Sequence, residues 1–305
     1  MNILSPETRA HVITHIAATA RPLDQALLAW SDDAAQIDAV TAALAAYQNP
    51  DGGYGHGIEP DMWTPDSGPL STTIGLQYAV RIGLPGEHPA VQHALAYLAG
   101  QVDIHGLRWR ATAPTVNASA HAPWWHRGAD GMSVIDAMWD NPTVEILGYF
   151  QHYQTSMNPF LLDAIAEQAA VRLAAQPDKM EEHGLACYVR WYRLAPLEWQ
   201  QRLLPDLRRV IAGTICTDPA VWATTYVPTP FLVVESAEDP WYDLLATAVQ
   251  AQCDQLVGVL TRDGCVRPTW TWGQYPEQWA IAVQHWTGKL TVEALLSLKR
   301  FGMVQ

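Results

Sequence analysis

The stretch that decides the predicted fold is Tyr47-Gln48-Asn49-Pro50-Asp51-Gly52-Gly53-Tyr54-Gly55-His56-Gly57-Ile58-Glu59-Pro60-Asp61. It packs four glycines, two prolines, a histidine and three carboxylates between two segments with helical periodicity. Glycine loses more conformational freedom on ordering than any other residue, so an ordered loop of this composition is expected to have a role. We call residues 48–66 the glycine loop.

Three side chains at the exit of this loop have the chemistry of an acid/base cluster. His56, Glu59 and Asp61 follow a turn signal, and Pro60 stiffens the backbone between the two carboxylates. We therefore predict His56, Glu59 and Asp61 as catalytic residues. The alternative is that Asp51 caps a helix and His56 only hydrogen-bonds the loop.

The composition provides material for a large apolar core. Of 305 residues, 49% are hydrophobic and 16% are charged, against about 25% charged in typical soluble proteins. Fourteen tryptophans stand against four phenylalanines. Because tryptophan joins a large flat apolar face to an N–H donor, it suits a binding pocket as well as a core.

The charge of the chain restricts its partners. A net charge of −13 argues against nucleic acid and against an anionic membrane surface, since both need basic patches. We find no signal-peptide pattern and no apolar run long enough to span a bilayer. Four scattered cysteines without a CxxC pair indicate reduced thiols, so we predict a cytoplasmic protein. We further expect a monomer or homodimer whose partner is a small molecule.

Helical periodicity runs through almost the whole chain. Ser5-Pro6-Glu7 is a helix start signal, and Gly288 is predicted to end one of the last helices. The only candidate strand is Phe231-Leu232-Val233-Val234. The sequence therefore predicts an all-α protein whose helices are joined alternately by short and long connections.

A weak repeat runs through the helices. The glutamines Gln48, Gln101 and Gln154 each follow a helix and lie 53 residues apart (101 − 48 = 53; 154 − 101 = 53). This period fits one helical hairpin per repeat and about six hairpins in the chain. Six hairpins can close into a ring of inner and outer helices, so we predict a single α/α toroid domain over residues 1–305.

The repeat motif resembles that of a known family. Gln48-x-x-x-Gly52-x-Tyr54 resembles the Gln-Trp repeat of squalene and oxidosqualene cyclases, and Gln101-x-x-x-x-Gly106-x-Arg108 is similar in a weaker form. The resemblance, which extends to the β-subunits of protein prenyltransferases, implies an α/α toroid and terpenoid-cyclase-like chemistry. The Asp-x-Asp-Asp motif of the cyclases is absent, and the nearest carboxylates are those of Glu59, Asp61 and Asp66.

The same resemblance raises the question of a metal. Prenyltransferase β-subunits bind zinc through an Asp-x-Cys pair and a distant histidine, and Asp263-Gly264-Cys265 followed by His285 is similar to that set. His285 is closer in sequence than the family pattern, and Asp-Gly is also an ordinary turn. We expect neither a metal nor a cofactor.

Two further loops are rich in tryptophan. His121-Ala122-Pro123-Trp124-Trp125-His126-Arg127 places two tryptophans between two histidines, which suits one wall of a pocket. The alternative is that one tryptophan fills the core while the other covers a helix end. In the loop 267–277, Trp270 and Trp272 point to the same side if the chain is extended.

Loops at the same phase of the repeat are expected to meet at one rim and to form a Trp-lined cavity, in which burial would raise the pKa of a carboxylic acid. The predicted catalytic residues are Asp61, Glu59, His56 and Glu277. The predicted substrate-binding residues are Tyr54, Trp63, His121, Trp124, Trp125, His126, Trp270, Trp272 and Tyr275. Glu277 has a second interpretation, because at a helix start it also complements the helix dipole.

Three functions follow from these residues. The first is a terpene-cyclase-like enzyme that performs acid/base chemistry on an apolar or isoprenoid-like molecule. The second is a carbohydrate-active enzyme, a glycosidase or lyase, that pairs Glu59 or Asp61 with Glu277 or Asp140. The third is a binding protein that keeps the toroid without catalysis.

Overall fold

The structure is a computed structural model that describes residues 3–154 and 157–304. Within these residues it contains twelve α-helices and no β-strand, which confirms the all-α prediction. The helices are α1 Pro6–Thr19, α2 Pro22–Asp32, α3 Ile37–Ala45, α4 Pro69–Arg81, α5 Pro89–Gly100, α6 Asp140–Tyr153, α7 Pro159–Ala175, α8 Glu182–Leu194, α9 Leu197–Thr214, α10 Pro219–Trp222, α11 Tyr242–Asp263 and α12 Pro276–Arg300.

The chain groups into two compact units. The terminal unit comprises residues 1–43 and 214–305, and the middle unit comprises residues 44–213. The prediction of a single domain stays a prediction.

Helix starts follow local sequence rules. Seven of the twelve helices begin with proline, whose fixed φ angle suits the first helical position and whose missing N–H is not needed there. At α1 the hydroxyl of Ser5 accepts a hydrogen bond from the backbone N–H of Thr8 at 3.1 Å, as the start signal predicts. At α7 the side chain of Asn158 accepts from the N–H of Phe160 at 3.0 Å.

Alternate helices of the middle unit differ in burial. Helices α4, α6 and α8 are buried on nearly every face, whereas α5, α7 and α9 each have an exposed face. Helix α6 packs against both α4 and α8. Gly148 permits the close contact with α8, since a Cβ atom at this position would lie 3.1 Å from the Cα of Trp191.

The terminal unit corrects one predicted helix end. Gly288 does not stop a helix: α12 continues from Pro276 to Arg300. A Cβ atom at Gly288 would lie only 2.6 Å from the Cβ of Ala20, at the end of α1. The glycine therefore allows two chain segments to approach closely within a continuous helix.

The connections contain short 3₁₀ turns. Residues 102–139 include three of them, at Val116–Ala118, Pro123–Trp125 and Ile135–Ala137. The candidate strand at 231–234 is wrong, because Pro230–Leu232 forms another 3₁₀ turn. Among the helices described, none combines the length and the apolar character needed to cross a membrane.

Candidate functional site

The glycine loop is anchored at both ends of its turn. The Nε2 of Gln48 donates to the carbonyl oxygens of Gly52 and of Ala90, each at 2.9 Å. Because Ala90 lies in the first turn of α5, this glutamine ties the loop to the following hairpin. Gln101 and Gln154, the other members of the predicted repeat, are exposed.

Asp51 caps the turn of the loop and not a helix. Its Oδ1 accepts from the N–H of Gly53 at 3.0 Å and from the hydroxyl of Ser67 at 2.7 Å. Gly52 has a φ of +93°, and a Cβ atom there would lie 2.3 Å from the carbonyl oxygen of His93. Only glycine fits both the backbone angle and this contact.

Tyr54 attaches the loop to α4. Its backbone N–H donates to the hydroxyl of Thr72 at 3.0 Å. Its ring is 1% exposed and lies against Gly75, where a Cβ atom would be 2.8 Å from the ring carbons. Burial raises the pKa of the Tyr54 hydroxyl well above its usual value. The predicted binding residue therefore packs against a helix.

His56 is exposed and has a positive φ of 55°. Its Nε2 lies 2.8 Å from the Oδ1 of Asn49, which makes Nε2 the donor because a carbonyl oxygen only accepts. This is the loop-bonding role that the sequence left as an alternative. Its predicted catalytic role stays a prediction.

Two predicted loops meet in a short antiparallel ribbon. The N–H of Trp63 donates to the carbonyl of Ala120 at 2.9 Å, and the N–H of Ala122 donates to the carbonyl of Asp61 at 2.8 Å. Met62 and His121 are therefore directly opposite each other. The structure thus brings together residues that are about sixty positions apart in the sequence.

Met62 and His121 share one face of the ribbon, because directly opposite residues of an antiparallel pair do so. Asp61 belongs to a turn that precedes the ribbon, in which the N–H of Met62 donates to the carbonyl of Glu59 at 3.0 Å. Glu59 and Asp61 are 8% and 3% exposed, and the indole Nε1 of the half-buried Trp63 donates to the carbonyl of Pro60 at 2.9 Å.

His121 and His126 form a hydrogen-bonded pair. The Nδ1 of His121 lies 2.6 Å from the carbonyl oxygen of Ser119, and its Nε2 lies 3.1 Å from the Nδ1 of His126. The two rings are 19° from parallel. Since the Ser119 carbonyl only accepts, His121 carries its proton on Nδ1, and the neutral pair then requires a proton on the Nδ1 of His126.

This assignment leaves one basic atom at the end of the pair. His121 is 1% exposed, whereas His126 is exposed. With Nδ1 protonated, the Nε2 of His126 carries a lone pair, and it has no hydrogen-bond partner among the residues described. The geometry therefore fits a base at His126 that is oriented by a buried histidine.

The segment that carries the pair is held at its C-terminal end by Arg127. The backbone N–H of Arg127 donates to Asn117 Oδ1 at 2.9 Å, and the Asn117 amide donates to the carbonyl of Arg127 at 2.8 Å. The guanidinium of Arg127 also donates to the carbonyl of Thr112 at 3.0 Å. These contacts fix the 3₁₀ turn that lies between the two histidines.

The two tryptophans of this turn differ in environment. Trp124 is half-buried, whereas Trp125 is 6% exposed. The Nε1 of Trp125 has no hydrogen-bond partner among the described residues, and the same holds for the hydroxyl of the buried Thr112. The turn therefore has an unsatisfied buried donor beside the histidine pair. A buried donor without a partner costs about 1–3 kcal/mol in the free energy of unfolding.

A second polar cluster lies on the buried helices of the middle unit and was not predicted as a site. Glu145 on α6 is 2% exposed. Its Oε1 accepts from Gln77 of α4 at 2.8 Å and from Tyr149 at 2.5 Å, and its Oε2 accepts from Arg190 of α8 at 2.9 Å. We call these four residues the Glu145 array. The signal in the sequence is a lone carboxylate within the apolar run 144–147.

The charges of the array are fixed by its packing. Burial opposes the charged form of Arg190, but the Glu145 carboxylate outweighs it and raises the pKa of the guanidinium. Burial, together with Glu145, raises the pKa of the Tyr149 hydroxyl and of the nearby Cys187 thiol well above their usual values. The tyrosine and the cysteine stay protonated, and the array holds one negative and one positive charge.

The array and the glycine loop are connected through the start of α4. The hydroxyl oxygen of Tyr149, which donates its proton to Glu145, lies 3.4 Å from the carbonyl oxygen of Thr73. Thr73 directly follows Thr72, whose hydroxyl binds the loop. Gln77, a member of the Glu145 array, lies five residues after Thr72 in α4. The two residues are therefore separated by about 7.5 Å along the helix axis.

Two predicted site residues of the terminal unit, Trp270 and Trp272, each pack against a tryptophan of α12. Trp270 packs edge-on against Trp286, with ring centroids 5.0 Å apart. Trp272 is 2% exposed and lies 5.4 Å from Trp279. Tyr275 is 37% exposed.

Glu277 is also exposed, and it lies in the first turn of α12, where its charge complements the helix dipole. The prediction that the loop 267–277 shares a rim with the glycine loop stays a prediction.

The described residues contain one group of close metal-ligating side chains, Glu181, Glu182 and His183, which is partly exposed. Asp263, Cys265 and His285 do not form such a group in the described part of the chain. The carboxylate of Asp263 binds the guanidinium of Arg262 at 2.8 Å. The prediction of no metal and no cofactor stays a prediction.

Comparison with known proteins gives no relative. The chain matches no family model, no curated protein and no solved structure.

Proposed function

We propose that the protein is an enzyme that performs acid/base chemistry on an apolar or isoprenoid-like small molecule, with His126 as the general base. The observation that carries this proposal is the hydrogen bond of 3.1 Å between His121 and His126. A base held by a buried partner, which is itself held by a backbone carbonyl, is the arrangement expected of a proton-transfer site.

The proposed step is a proton transfer. The lone pair on the Nε2 of His126 takes a proton from a C–H or O–H group of the substrate. The resulting imidazolium keeps its Nδ1 proton in the hydrogen bond to His121, which stabilises the positive charge. Return of the Nε2 proton to another atom of the same molecule restores the base and leaves an isomerised product.

One feature supports an apolar substrate. Trp124 lies in the 3₁₀ turn between the histidines and, being half-buried, supplies a large flat apolar face.

A second feature supports the proposed fold. The alternation of buried helices α4, α6 and α8 with partly exposed α5, α7 and α9 is what an α/α toroid requires of inner and outer helices. Together with the Gln-Trp-like repeat, this alternation supports the terpenoid-cyclase-like toroid as our proposal for the fold.

Glu59 and Asp61 have a smaller part in this proposal than the sequence suggests. Glu59 and Asp61 are buried whereas His126 is exposed, so we assign neither carboxylate a role at His126. The carbohydrate-active alternative needs a second carboxylate that can act as an acid or base. Asp140 is occupied by Arg172 and by the hydroxyl of Tyr188, each at 3.1 Å.

The proposal is tested by identifying what the protein binds. Native mass spectrometry of the purified chain should reveal a co-purified apolar or isoprenoid-like molecule, and incubation with that molecule should give an isomer of it. A bound oligosaccharide would support the carbohydrate-active alternative. A protein that binds the molecule but leaves it chemically unchanged would overturn the proposal of an enzyme.

A further inference from the structure

The Glu145 array presents a guanidinium whose donors are mostly uncommitted. Arg190 uses one N–H to bind Glu145, and a guanidinium has five N–H donors. No other hydrogen bond of Arg190 occurs among the described residues, and 38% of its side chain is exposed. One N–H of the guanidinium is therefore fixed by a buried carboxylate, while part of the Arg190 side chain remains accessible.

We propose that Arg190 binds an oxyanion, a carboxylate or phosphate group carried by the substrate. The planar fork of a guanidinium matches two oxygens of either group, and Glu145 holds the fork in place before binding. The inference deepens the proposed function by giving the apolar substrate an anionic head group. Its test requires only binding, so its outcome is independent of whether His126 is a base.

The charge distribution of the array favours an anion on the outer side. Within the array the charges are those of Glu145 and Arg190, because Tyr149 remains neutral. Glu145 is 2% exposed and lies behind the guanidinium, which makes the positive group the outermost charge. A ligand that approaches Arg190 therefore meets N–H donors before it meets the carboxylate.

Arg172 on α7 provides a matched comparison. It also binds a largely buried carboxylate of α6, that of Asp140 at 3.1 Å, and its side chain is also 38% exposed. Its guanidinium, however, lies over the ring of Trp139, 5.0 Å from the ring centroid. One face of Arg172 is thus covered, and it lies on an outer helix of the middle unit, so we expect it to bind no substrate group.

Isothermal titration with octyl phosphate, octanoate and octanol, each below its aggregation concentration, tests the proposal. The three probes share one apolar chain and differ in the head group. We expect at least one anionic probe to bind about 10-fold or more tightly than octanol, because hydrogen bonds to charged groups have that strength. The preferred head group identifies the substrate as a phosphate or a carboxylate.

Three variants locate the effect. Arg190→Gln should remove the preference for the anionic probe, and Arg172→Gln should retain it. Because Arg190→Gln leaves Glu145 buried without its ion pair, the double variant E145Q/R190Q keeps the core neutral and should show the same loss in a folded protein. The proposal is overturned if no anionic probe is preferred over octanol, if the double variant keeps the preference, or if Arg172→Gln removes it.

Discussion

The Nε2 of His121 accepts a hydrogen bond from the Nδ1 of His126 at 3.1 Å, and the direction of this bond is set by the carbonyl of Ser119 on the far side of the His121 ring. The buried ring orients the exposed one. The pair lies on a segment that the ribbon with Asp61–Trp63 and the contacts of Arg127 hold in place.

The tautomers of the pair can be measured directly. We expect long-range ¹H–¹⁵N spectra at pH above 7.5 to show both His121 and His126 protonated on Nδ1, because the Ser119 carbonyl can only accept. His126→Gln and His121→Gln spectra would assign the signals. A neutral His121 protonated on Nε2 would contradict the assigned direction of the bond.

The close contact between Gly288 and Ala20 predicts that one methyl group added at Gly288 destabilises the protein. Gly288→Ala should lower the free energy of unfolding by about 1–3 kcal/mol, because the new Cβ would lie 2.6 Å from the Cβ of Ala20. Chemical denaturation measures the difference.

The matched control is Gly258→Ala in α11, where a new Cβ meets no atom within 4 Å. That change should raise the free energy of unfolding by up to about 1 kcal/mol, since alanine is the better helix former. Equal effects of the two substitutions would contradict the close contact at Gly288.

The ion pair of the Glu145 array predicts a stability ranking. Arg190→Gln should cost about 3 kcal/mol in the free energy of unfolding, since it leaves a carboxylate that is 2% exposed without its counter-charge. The double variant E145Q/R190Q should be more stable than the single variant, because no buried charge remains. Urea denaturation of both variants gives the ranking. A double variant with a lower free energy of unfolding than Arg190→Gln would contradict it.

His285 predicts a loss of stability in mild acid. Burial, with a smaller contribution from the charge of Arg21, lowers the pKa of His285 below 6.5, while Asp24 opposes the shift. Above pH 6.5 the histidine is neutral in both folded and unfolded chains. As the pH falls below 6.5, the unfolded chain binds the proton first, so the free energy of unfolding decreases.

The variant H285N should show a shallower decrease between pH 7 and 5. Some slope should remain, because burial also lowers the pKa of His152. The measurement is a series of denaturation curves at fixed ionic strength. An unchanged slope in H285N would show that this histidine does not carry the effect.

Local sequence patterns predicted the helices well. Proline at the first helical position and the Ser5 cap depend only on nearby residues, so they could be read from the chain. Gly288 could not, because its role depends on Ala20, which is more than 260 positions away. A single sequence does not distinguish a glycine that ends a helix from a glycine that allows a neighbouring segment to pack closely.

The candidate site could be predicted in part. The sequence identifies the glycine loop and the segment 121–127, which contains two tryptophans and two histidines. The structure joins these two segments at Met62 and His121. Their side-chain directions were not predictable, because the face of a ribbon depends on its register. The role of Glu145 could not be predicted, because its partners Gln77 and Arg190 come from two other helices.

The most direct measurement of the central claim is the turnover number of His126→Gln on the co-purified molecule, with His56→Gln and Asp61→Asn as comparison variants. We expect His126→Gln to lose about 10²- to 10⁴-fold in kcat, the usual contribution of a general base, and to keep its affinity for the molecule. The comparison variants should stay within about 10-fold of the unmodified protein, by the same scale. Full activity of His126→Gln would contradict the account, and a loss confined to Asp61→Asn or His56→Gln would return the site to the glycine loop.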